Sequence, residues 1–206
     1  RLMTAYVDWS EVSKNGKGLP EISGITDVTE KFKYNAAGLV WSEDSKEIYF
    51  NSLTEGLQAM YTAKRPEFNL PEGAKGKPAP WQIERLTGDD LWYDFGSPFH
   101  ITEAEDGSRT LYTTWCSMDF PTELVAVSLN GSEASYTQIT HENEHILSQL
   151  EDHSTEARYV KTVDGKDMLT WVLYPPQFDP AKTYPAITIC LGGPQGTLSQ
   201  GWSYRW

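Results

Sequence analysis

Positive charge is scarce in this 206-residue sequence, which has 17 Lys and Arg residues against 29 Asp and Glu residues and a net charge of −12. The basic residues are scattered and form no stripe that would neutralise phosphates or bind an anionic membrane surface. No nucleic acid is therefore expected as a partner. Hydrophobic residues make up 39% of the chain, which is enough for one or two ordinary globular domains.

Long apolar runs are also missing. No stretch approaches the roughly 18 consecutive apolar residues that indicate a transmembrane helix, and no charged segment followed by an apolar one at the start indicates a signal peptide. The sequence thus predicts no membrane span. It begins at Arg1 without a methionine and ends abruptly at Trp206, so we expect it to be an internal piece of a longer protein.

Cysteine is rare, and the sequence contains two, Cys116 and Cys190. They lie far apart in different predicted strands and provide neither a C-x-x-C site nor a disulfide framework. They indicate little about the cellular compartment.

Short alternating runs rich in Tyr, Val, Ile, Thr and Trp dominate the chain, and Gly, Asn, Asp and Pro separate them. This pattern is typical of β-strands, and helical periodicity is almost missing. Residues 41–52 resemble residues 103–114, because each stretch is an acidic turn followed by an alternating strand with a central aromatic residue. Each is followed by two further predicted strands, in the segments 57–64, 81–90, 123–130 and 134–143.

The two copies lie roughly 60 residues apart, near the upper end of the periods that indicate four-stranded propeller blades. The Pro- and Gly-rich segment 65–80 is the extra length of the first copy. Segments 1–10 and 22–32 are typical of the last two strands of an earlier blade. The sequence therefore predicts a mainly β fold with about two and a half blades, fewer than the four or so that close a ring. We expect the packing between sheets to involve Trp41, Tyr49, Tyr112 and Leu124.

The pattern changes near residue 150. Residues 157–176 predict a hairpin with a type I′ turn at Asp164-Gly165, since Asp-Gly suits that turn. Residues 186–191, AITICL, form a continuous apolar run between Pro and Gly. Such a run is typical of an interior strand in an α/β sheet, buried on both faces. A second domain is therefore expected to begin here, with Leu191 at a strand's end.

The order of these segments resembles the prolyl oligopeptidase family of serine peptidases, and in particular its bacterial dipeptidyl-peptidase and acylaminoacyl-peptidase branch. The resemblance covers the whole chain, weakly in the blades and strongly from Val163 to Gln195. Its most specific part is the succession of Pro-Pro, Phe-Asp-Pro, Tyr-Pro, apolar strand and Gly-Gly-Pro within residues 175–194. It implies partial propeller blades at 1–140, a linker at 141–155 and the truncated start of an α/β-hydrolase peptidase domain at 156–206.

The resemblance implies a serine exopeptidase that acts on short peptides with a Ser, Asp and His triad and needs no cofactor. No G-x-S-x-G nucleophile motif occurs here, and hydrolases of this order place all three residues later. The triad is therefore expected beyond Trp206. The family's oxyanion loop corresponds to residues 191–194, where Leu191 offers no side-chain donor, so the resemblance assigns this role to the backbone N–H of Gly193 alone.

The resemblance also implies a periplasmic or secreted location for the longer protein, and a homo-oligomer of it is compatible with the sequence. It leaves open whether dipeptides or acyl-amino acids are released. A second hypothesis from a different class is a non-catalytic propeller module of the TolB type that binds protein or peptide.

A third hypothesis comes from residues 141–145, HENEH. His141, Glu142 and His145 match the zinc peptidase motif H-E-x-x-H, and the same residues with Glu144 match its inverted form. The motif needs a stable helix and a third ligand. With Thr140 as the expected N-cap, His141 falls in the first turn, and His153 has the wrong spacing. The sequence therefore favours a solvated linker helix over a metal site.

Other polar residues have ordinary structural explanations alongside functional ones. His100 begins a predicted strand, which favours packing over a catalytic role. Asp89, Asp90 and Asp94 join one predicted blade to the next, where carboxylates can bind a peptide's amino terminus but are also common in turns. Residues 130–132, Asn-Gly-Ser, match a glycosylation acceptor, although Asn-Gly between strands favours a hairpin turn.

Overall fold

The structure, a computed structural model, describes residues 1–9, 20–66, 79–88, 91–130, 134–193 and 196–205. Strand accounts for 45% of the chain and helix for 2%, which confirms the prediction of a mainly β fold. No helix among these residues is long and apolar enough to cross a membrane.

The described residues form thirteen strands and one short helix. The elements are β1 Met3–Asp8, β2 Glu21–Asp27, β3 Ala36–Trp41, β4 Glu47–Thr54, β5 Leu57–Lys64, β6 Gln82–Arg85, β7 Asp94–Phe95, β8 His100–Glu103, β9 Arg109–Cys116, β10 Glu123–Ser128, β11 Ser135–Gln138, α1 Glu144–Leu147, β12 Ser154–Lys161 and β13 Asp167–Tyr174.

Two consecutive antiparallel sheets form the centre of the molecule. In the first sheet the strands pair in the order β3-β4-β5-β6. In the second sheet β9 pairs with β10 and β10 with β11, while β7 and β8 pair with different parts of β9. The first sheet is thus a four-stranded meander, and the second is a five-stranded sheet in which β9, β10 and β11 form a meander. The fold is consistent with a partial propeller-like β domain. Before them, β1 and β2 form an antiparallel pair.

The inner strands β4 and β5 of the first sheet are buried on both faces because their side chains alternate between two cores. In β4, Ile48 and Phe50 join one cluster while Tyr49, between them, joins the other, as the two-residue period of a strand requires. The first cluster also contains Leu2 and Val28, next to the β1–β2 pair. The second cluster combines residues of both sheets, namely Tyr49, Met60, Phe95, Ile101, Leu111, Val125 and Val127.

The prediction that Trp41, Tyr49, Tyr112 and Leu124 take part in the packing between sheets is correct in part. Tyr49 is 2% exposed and lies between the sheets, whereas Trp41 is 38% and Leu124 is 37% exposed. In β10, Val125 and Val127 point into the second cluster, so Leu124 must point away. Tyr112 is half-buried and stacks on His100. The alternation of inward and outward residues was visible in the sequence, but in β10 the prediction placed Leu124 on the wrong face of the sheet.

The hairpin after residue 150 is confirmed, but its turn is of another type. β12 and β13 pair over their full lengths, from Ser154 with Tyr174 to Lys161 with Asp167. The Gly165 N–H donates to Thr162 O, and Gly165 has a φ of 78°. This is a three-residue loop with a left-handed glycine, not the expected two-residue type I′ turn. A two-residue turn with two positive φ angles occurs instead at Glu55-Gly56.

Residues 186–191 differ most from expectation. They form no strand in the described part of the chain, and Ile187 and Ile189 are 91% and 73% exposed. An interior strand needs neighbours on both sides to pair its backbone groups. Among the described residues no strand pairs with this run, so it joins no sheet there.

Candidate functional site

The Gly193 turn, which we define as residues 191–193, lies on the surface. Gly193 has a φ of 86°, a conformation that favours glycine. A Cβ built on Gly192 or Gly193 would meet nothing within 4 Å. The Gly193 carbonyl accepts a hydrogen bond from Gly196 N–H at 3.3 Å. The turn is accessible, as an oxyanion donor must be, and its catalytic role stays a prediction. Pro194 lies outside the described residues.

The chain beyond this turn returns to the sheets. We call residues 198–202 the strap. Trp171 Nε1–H of β13 donates to the Leu198 carbonyl at 3.0 Å. Gln200 is 1% exposed, and its Oε1 accepts from the Met118 N–H, just after β9, at 3.5 Å. The Gly193 turn is therefore followed closely by a segment that is fastened to the second sheet.

Asp94 has a structural contact in this region. It is 7% exposed, and its Oδ1 accepts the Gln58 N–H at 2.9 Å, which joins β7 to β5 of the first sheet. An ideal Cβ on Gly201 would lie 3.6 Å from Asp94 Oδ2, so the strap covers this carboxylate. Asp89 and Asp90 lie outside the described residues, and contact of the three carboxylates with substrate stays a prediction.

The HENEH segment does not form the arrangement that the zinc motif needs. α1 begins at Glu144 with Asn143 as its N-cap, so His141 precedes the helix and shares no helical face with His145. The prediction of Thr140 as N-cap is wrong, because the Thr140 hydroxyl instead donates to the buried Glu123 carboxylate. His141 is 54% exposed and lies 3.4 Å from Glu144.

Metal ligands do not gather elsewhere in the described part of the chain either. It contains no group of three or more His, Cys, Asp or Glu side chains placed to hold a metal ion. Glu142 is exposed, like His141 and His145. The described side chains of HENEH are therefore those of a solvated connector between the second sheet and the β12–β13 hairpin.

The other histidines and the cysteines also have identifiable surroundings. His100 begins β8, as expected, and is exposed with its ring stacked on Tyr112. His153 Nε2 lies 3.0 Å from Asp119 Oδ1, so the connector contacts the end of the second sheet. Cys116 and Cys190 are free thiols. Burial raises the pKa of the Cys116 thiol, which disfavours the reactive thiolate.

Comparison with known proteins gives a consistent set of relatives. The chain is 36% identical over 181 residues to dipeptidyl-peptidase 5 of Porphyromonas gingivalis, covering 88% of this chain and 23% of that protein. It is 50% identical over 97 residues to dipeptidyl-peptidase 5 of Porphyromonas endodontalis, covering 47% of this chain and 14% of that protein. The chain is similar to dipeptidyl-peptidase 5 proteins. No family model matches it.

The chain spans less than a quarter of the P. gingivalis relative. Because 88% of the chain is matched, the similarity to dipeptidyl-peptidase 5 extends over parts of both sheets and of the region after residue 140. A shorter match to dipeptidyl-peptidase 5 of Aspergillus fumigatus has 52% identity over 40 residues, which is 19% of this chain and 6% of that protein. The resemblance is thus not restricted to propeller-like strands, which many proteins share.

A charged cluster around Arg109 was missed from the sequence. The Arg109 guanidinium in β9 lies 3.1 Å from Glu47 of the first sheet and 2.9 Å from Glu103. It also donates to the Tyr49 hydroxyl, which in turn donates to Glu47. Burial and the Glu47 hydrogen bond raise the pKa of Tyr49 well above its usual range. Glu47 and Arg109 occupy matching places in the two repeats, and that was the available signal.

Proposed function

We propose that this chain is part of a longer serine exopeptidase that releases dipeptides from short peptides. The observation that carries the proposal is the 36% identity to dipeptidyl-peptidase 5 over 88% of the chain. The two meander sheets and the exposed Gly193 turn support it, because a propeller-like domain followed by such a turn is the order that the resemblance implies.

In this proposal each of the three segments of the chain has a different role. Residues 1–140 belong to a propeller that admits short peptides, residues 141–155 connect the domains, and residues 156–206 begin the peptidase domain. The longer protein acts in the periplasm or outside the cell.

The chemistry is acyl transfer to a serine supplied by the rest of the protein. That serine attacks the scissile carbonyl, a histidine takes its proton and passes it to the leaving amine, and an aspartate orients the histidine. The Gly193 N–H donates to the carbonyl oxygen as negative charge develops there. Such a donor stabilises the transition state by about 3 kcal/mol in enzymes where one has been removed.

The test is carried out on the full-length protein. Chromogenic substrates with a free amino terminus and two residues before the leaving group are compared with N-acetylated aminoacyl substrates of the same leaving group. We expect hydrolysis of the first set, covalent labelling by a fluorophosphonate, and activity that a chelator does not change. Chelator inactivation that zinc restores would contradict serine chemistry. Preference for the acetylated substrates would contradict dipeptide release.

The role of Gly193 has a matched control. Gly193→Ala places a Cβ on a residue with a φ of 86°, and Gly165→Ala does the same at 78° in the β12–β13 turn, where nothing lies within 4 Å. Both changes strain the backbone by about 1–2 kcal/mol. We expect kcat to fall at least about tenfold in the first variant, because the N–H is displaced, and to be unchanged in the second. Equal kcat values in the two variants would contradict a role for the Gly193 N–H in the oxyanion site.

A further inference from the structure

Gly196 and the strap join the exposed Gly193 turn to the two sheets through a series of hydrogen bonds and packing contacts. Gly196 is the first link. Its N–H donates to the Gly193 carbonyl, and a Cβ on it would lie 2.8 Å from Leu191 Cδ2 and 3.1 Å from the Gly192 carbonyl oxygen. Gly196 is thus seated tightly against the turn. Gly196 therefore links the Gly193 turn to the chain that follows it.

Leu198 is the second link. Its carbonyl accepts from Trp171 Nε1–H, and the Trp171 ring lies edge-on to Trp92 at 5.5 Å between ring centroids. The same two residues approach the β4–β5 turn, because a Cβ on Gly56 would lie 3.4 Å from Trp171 and 3.6 Å from the Leu198 carbonyl oxygen. The start of the strap is therefore enclosed by the hairpin and the first sheet.

Gln200 is the third link and the most deeply buried residue of the strap, at 1% exposed. Its Oε1 accepts the Met118 N–H, and its Nε2 has no partner among the described residues. Two residues later, the Trp202 backbone hydrogen-bonds the Cys116 thiol. Burial of an amide with one incomplete end is costly, and an apolar side chain at this buried position would avoid that cost but leave the Met118 N–H without its acceptor. A glutamine here calls for a reason beyond packing.

We propose that Gln200 is a positioning residue, which holds the Gly193 N–H in register with the scissile carbonyl by fixing the strap on the second sheet. The inference rests on the proposed function and adds to it that the propeller sheets take part in catalysis by setting the geometry of the oxyanion site. A displacement near 1 Å at a reacting group lowers a rate by as much as about a hundredfold.

Two variants of the full-length protein test this. Gln200→Met keeps the volume of the side chain and removes the acceptor for Met118 N–H. Trp171→Phe keeps a ring beside Trp92 and removes the donor to Leu198. We expect kcat to fall about tenfold in the first and severalfold in the second with KM nearly unchanged, because positioning acts on the transition state. Gln149→Met and Trp41→Phe, at exposed positions away from the strap, are controls expected to keep the wild-type kcat.

The readout separates positioning from folding. Fluorophosphonate labelling carried to completion counts the folded, reactive sites, and kcat is expressed per labelled site. A residue that only stabilises the fold lowers the number of labelled sites and leaves kcat per site unchanged. A positioning residue lowers kcat per site and slows the labelling while the final number of sites stays the same.

Hydrogen exchange of the peptide that contains Gly193 gives a measurement independent of activity. We expect faster exchange in Gln200→Met and in Trp171→Phe than in the controls. Wild-type kcat per site together with wild-type exchange in both variants would overturn the proposal. A wild-type protein that is neither labelled nor active would overturn the proposed function instead, and the exchange data would still decide whether Gln200 holds the turn.

Discussion

The two sheets and the region after them contain similar apolar side chains, but these are buried in the sheets and exposed in the later region. In the sheets, Phe50, Leu111 and Val125 are completely buried. In the later region, Leu173 is 52% and Ile187 is 91% exposed. The difference is one of partners, because each sheet packs against the other, whereas Leu173 of the hairpin and Ile187 of the run at 186–191 are left largely exposed by the described residues. An apolar pattern predicts a core only where a second surface is available.

The largest expected effect concerns burial. Phe50→Ala removes a ring that is 0% exposed and stacked on Tyr61, and we expect it to lower the free energy of unfolding by about 4 kcal/mol. Leu173→Ala removes a half-exposed side chain, and the expected loss is below about 1 kcal/mol. Urea unfolding followed by tryptophan fluorescence measures both. Similar losses would show that the hairpin region is as well packed as the sheets.

Loss of an ion pair should also lower stability more in the sheets than in the hairpin. Arg109→Met breaks contacts with Glu47 and Glu103 between partly buried groups, and we expect a loss of about 2 kcal/mol, since carboxylates are left without their partner. Arg158→Met breaks a pair with Glu156 in the hairpin, where both side chains are more than 40% exposed, and a much smaller loss is expected.

Unfolding measured at low and high salt checks this pair of variants. The Arg158 effect should vanish at high salt because exposed pairs are screened, whereas most of the Arg109 effect should persist. A larger effect at Arg158 would contradict the greater stabilisation expected from the contacts of Arg109 with Glu47 and Glu103.

Two equivalent turns allow a comparison of acid sensitivity. In the first sheet, the buried Ser42 hydroxyl donates to Asp44 at 2.7 Å and accepts the Glu47 N–H at 2.9 Å. This hydroxyl lowers the pKa of Asp44 below its ordinary value of 3.8. In the hairpin, the Thr162 hydroxyl lowers the pKa of Asp164 in the same way.

A lowered acid pKa contributes stability that is present above the ordinary value and lost as pH falls through the folded-state value. We therefore expect Ser42→Ala to cost about 1 kcal/mol at neutral pH, to raise the pKa of Asp44, and to weaken the dependence of stability on pH below 3.8. Thr162→Ala should raise the pKa of Asp164 with a smaller loss of stability, since that turn is exposed. Titration of the carboxyl carbons by NMR and acid unfolding measure these changes, and an unchanged Asp44 pKa would refute the first.

The smallest expected effect is a gain in stability. Ser45 has a φ of 57° at the turn position that glycine occupies as Gly107 and Gly165 in the corresponding loops. Ser45→Gly should raise stability by about 0.5 kcal/mol, because relief of the left-handed strain outweighs the greater freedom of the unfolded chain. The reverse change, Gly165→Ser, should lower stability. Thermal unfolding of both variants decides, and a loss in Ser45→Gly would mean that its side chain stabilises the turn.

Local pattern was sufficient for several elements. The strands β4, β5, β9 and β10 and the β12–β13 hairpin follow from alternation and from the repeat, because the period of two is a property of neighbouring residues. The outward orientation of Leu124 did not follow, since the charged residue Glu123 lies on the buried side, where its carboxylate accepts a hydrogen bond from Thr140. The start of α1 at Glu144 was equally hidden, because Thr140 is engaged with Glu123 and cannot act as the N-cap.

The candidate site shows the same division. Gly193 was selected through the resemblance to a peptidase family, and the local Gly-Gly-Pro segment after an apolar run is part of that resemblance. The contact of the strap with the second sheet could not be predicted from the sequence, since Gln200 and Met118 are 82 residues apart. Nor could the hydrogen bond between the two sheets, where Asp94 and Gln58 are 36 residues apart. Contacts between distant residues depend on how the sheets stack, and composition and spacing carry no record of that.

Amino-acid order alone accounts for the β character of the chain, the twofold repeat and the hairpin, since each follows from the pattern of neighbouring residues. The tertiary structure decided which faces are buried, that HENEH is a solvated connector, and that the strap lies against both sheets. Those outcomes depend on hydrogen bonds and apolar contacts between surfaces that meet only after the strands have formed, and burial there makes an unpaired polar group costly.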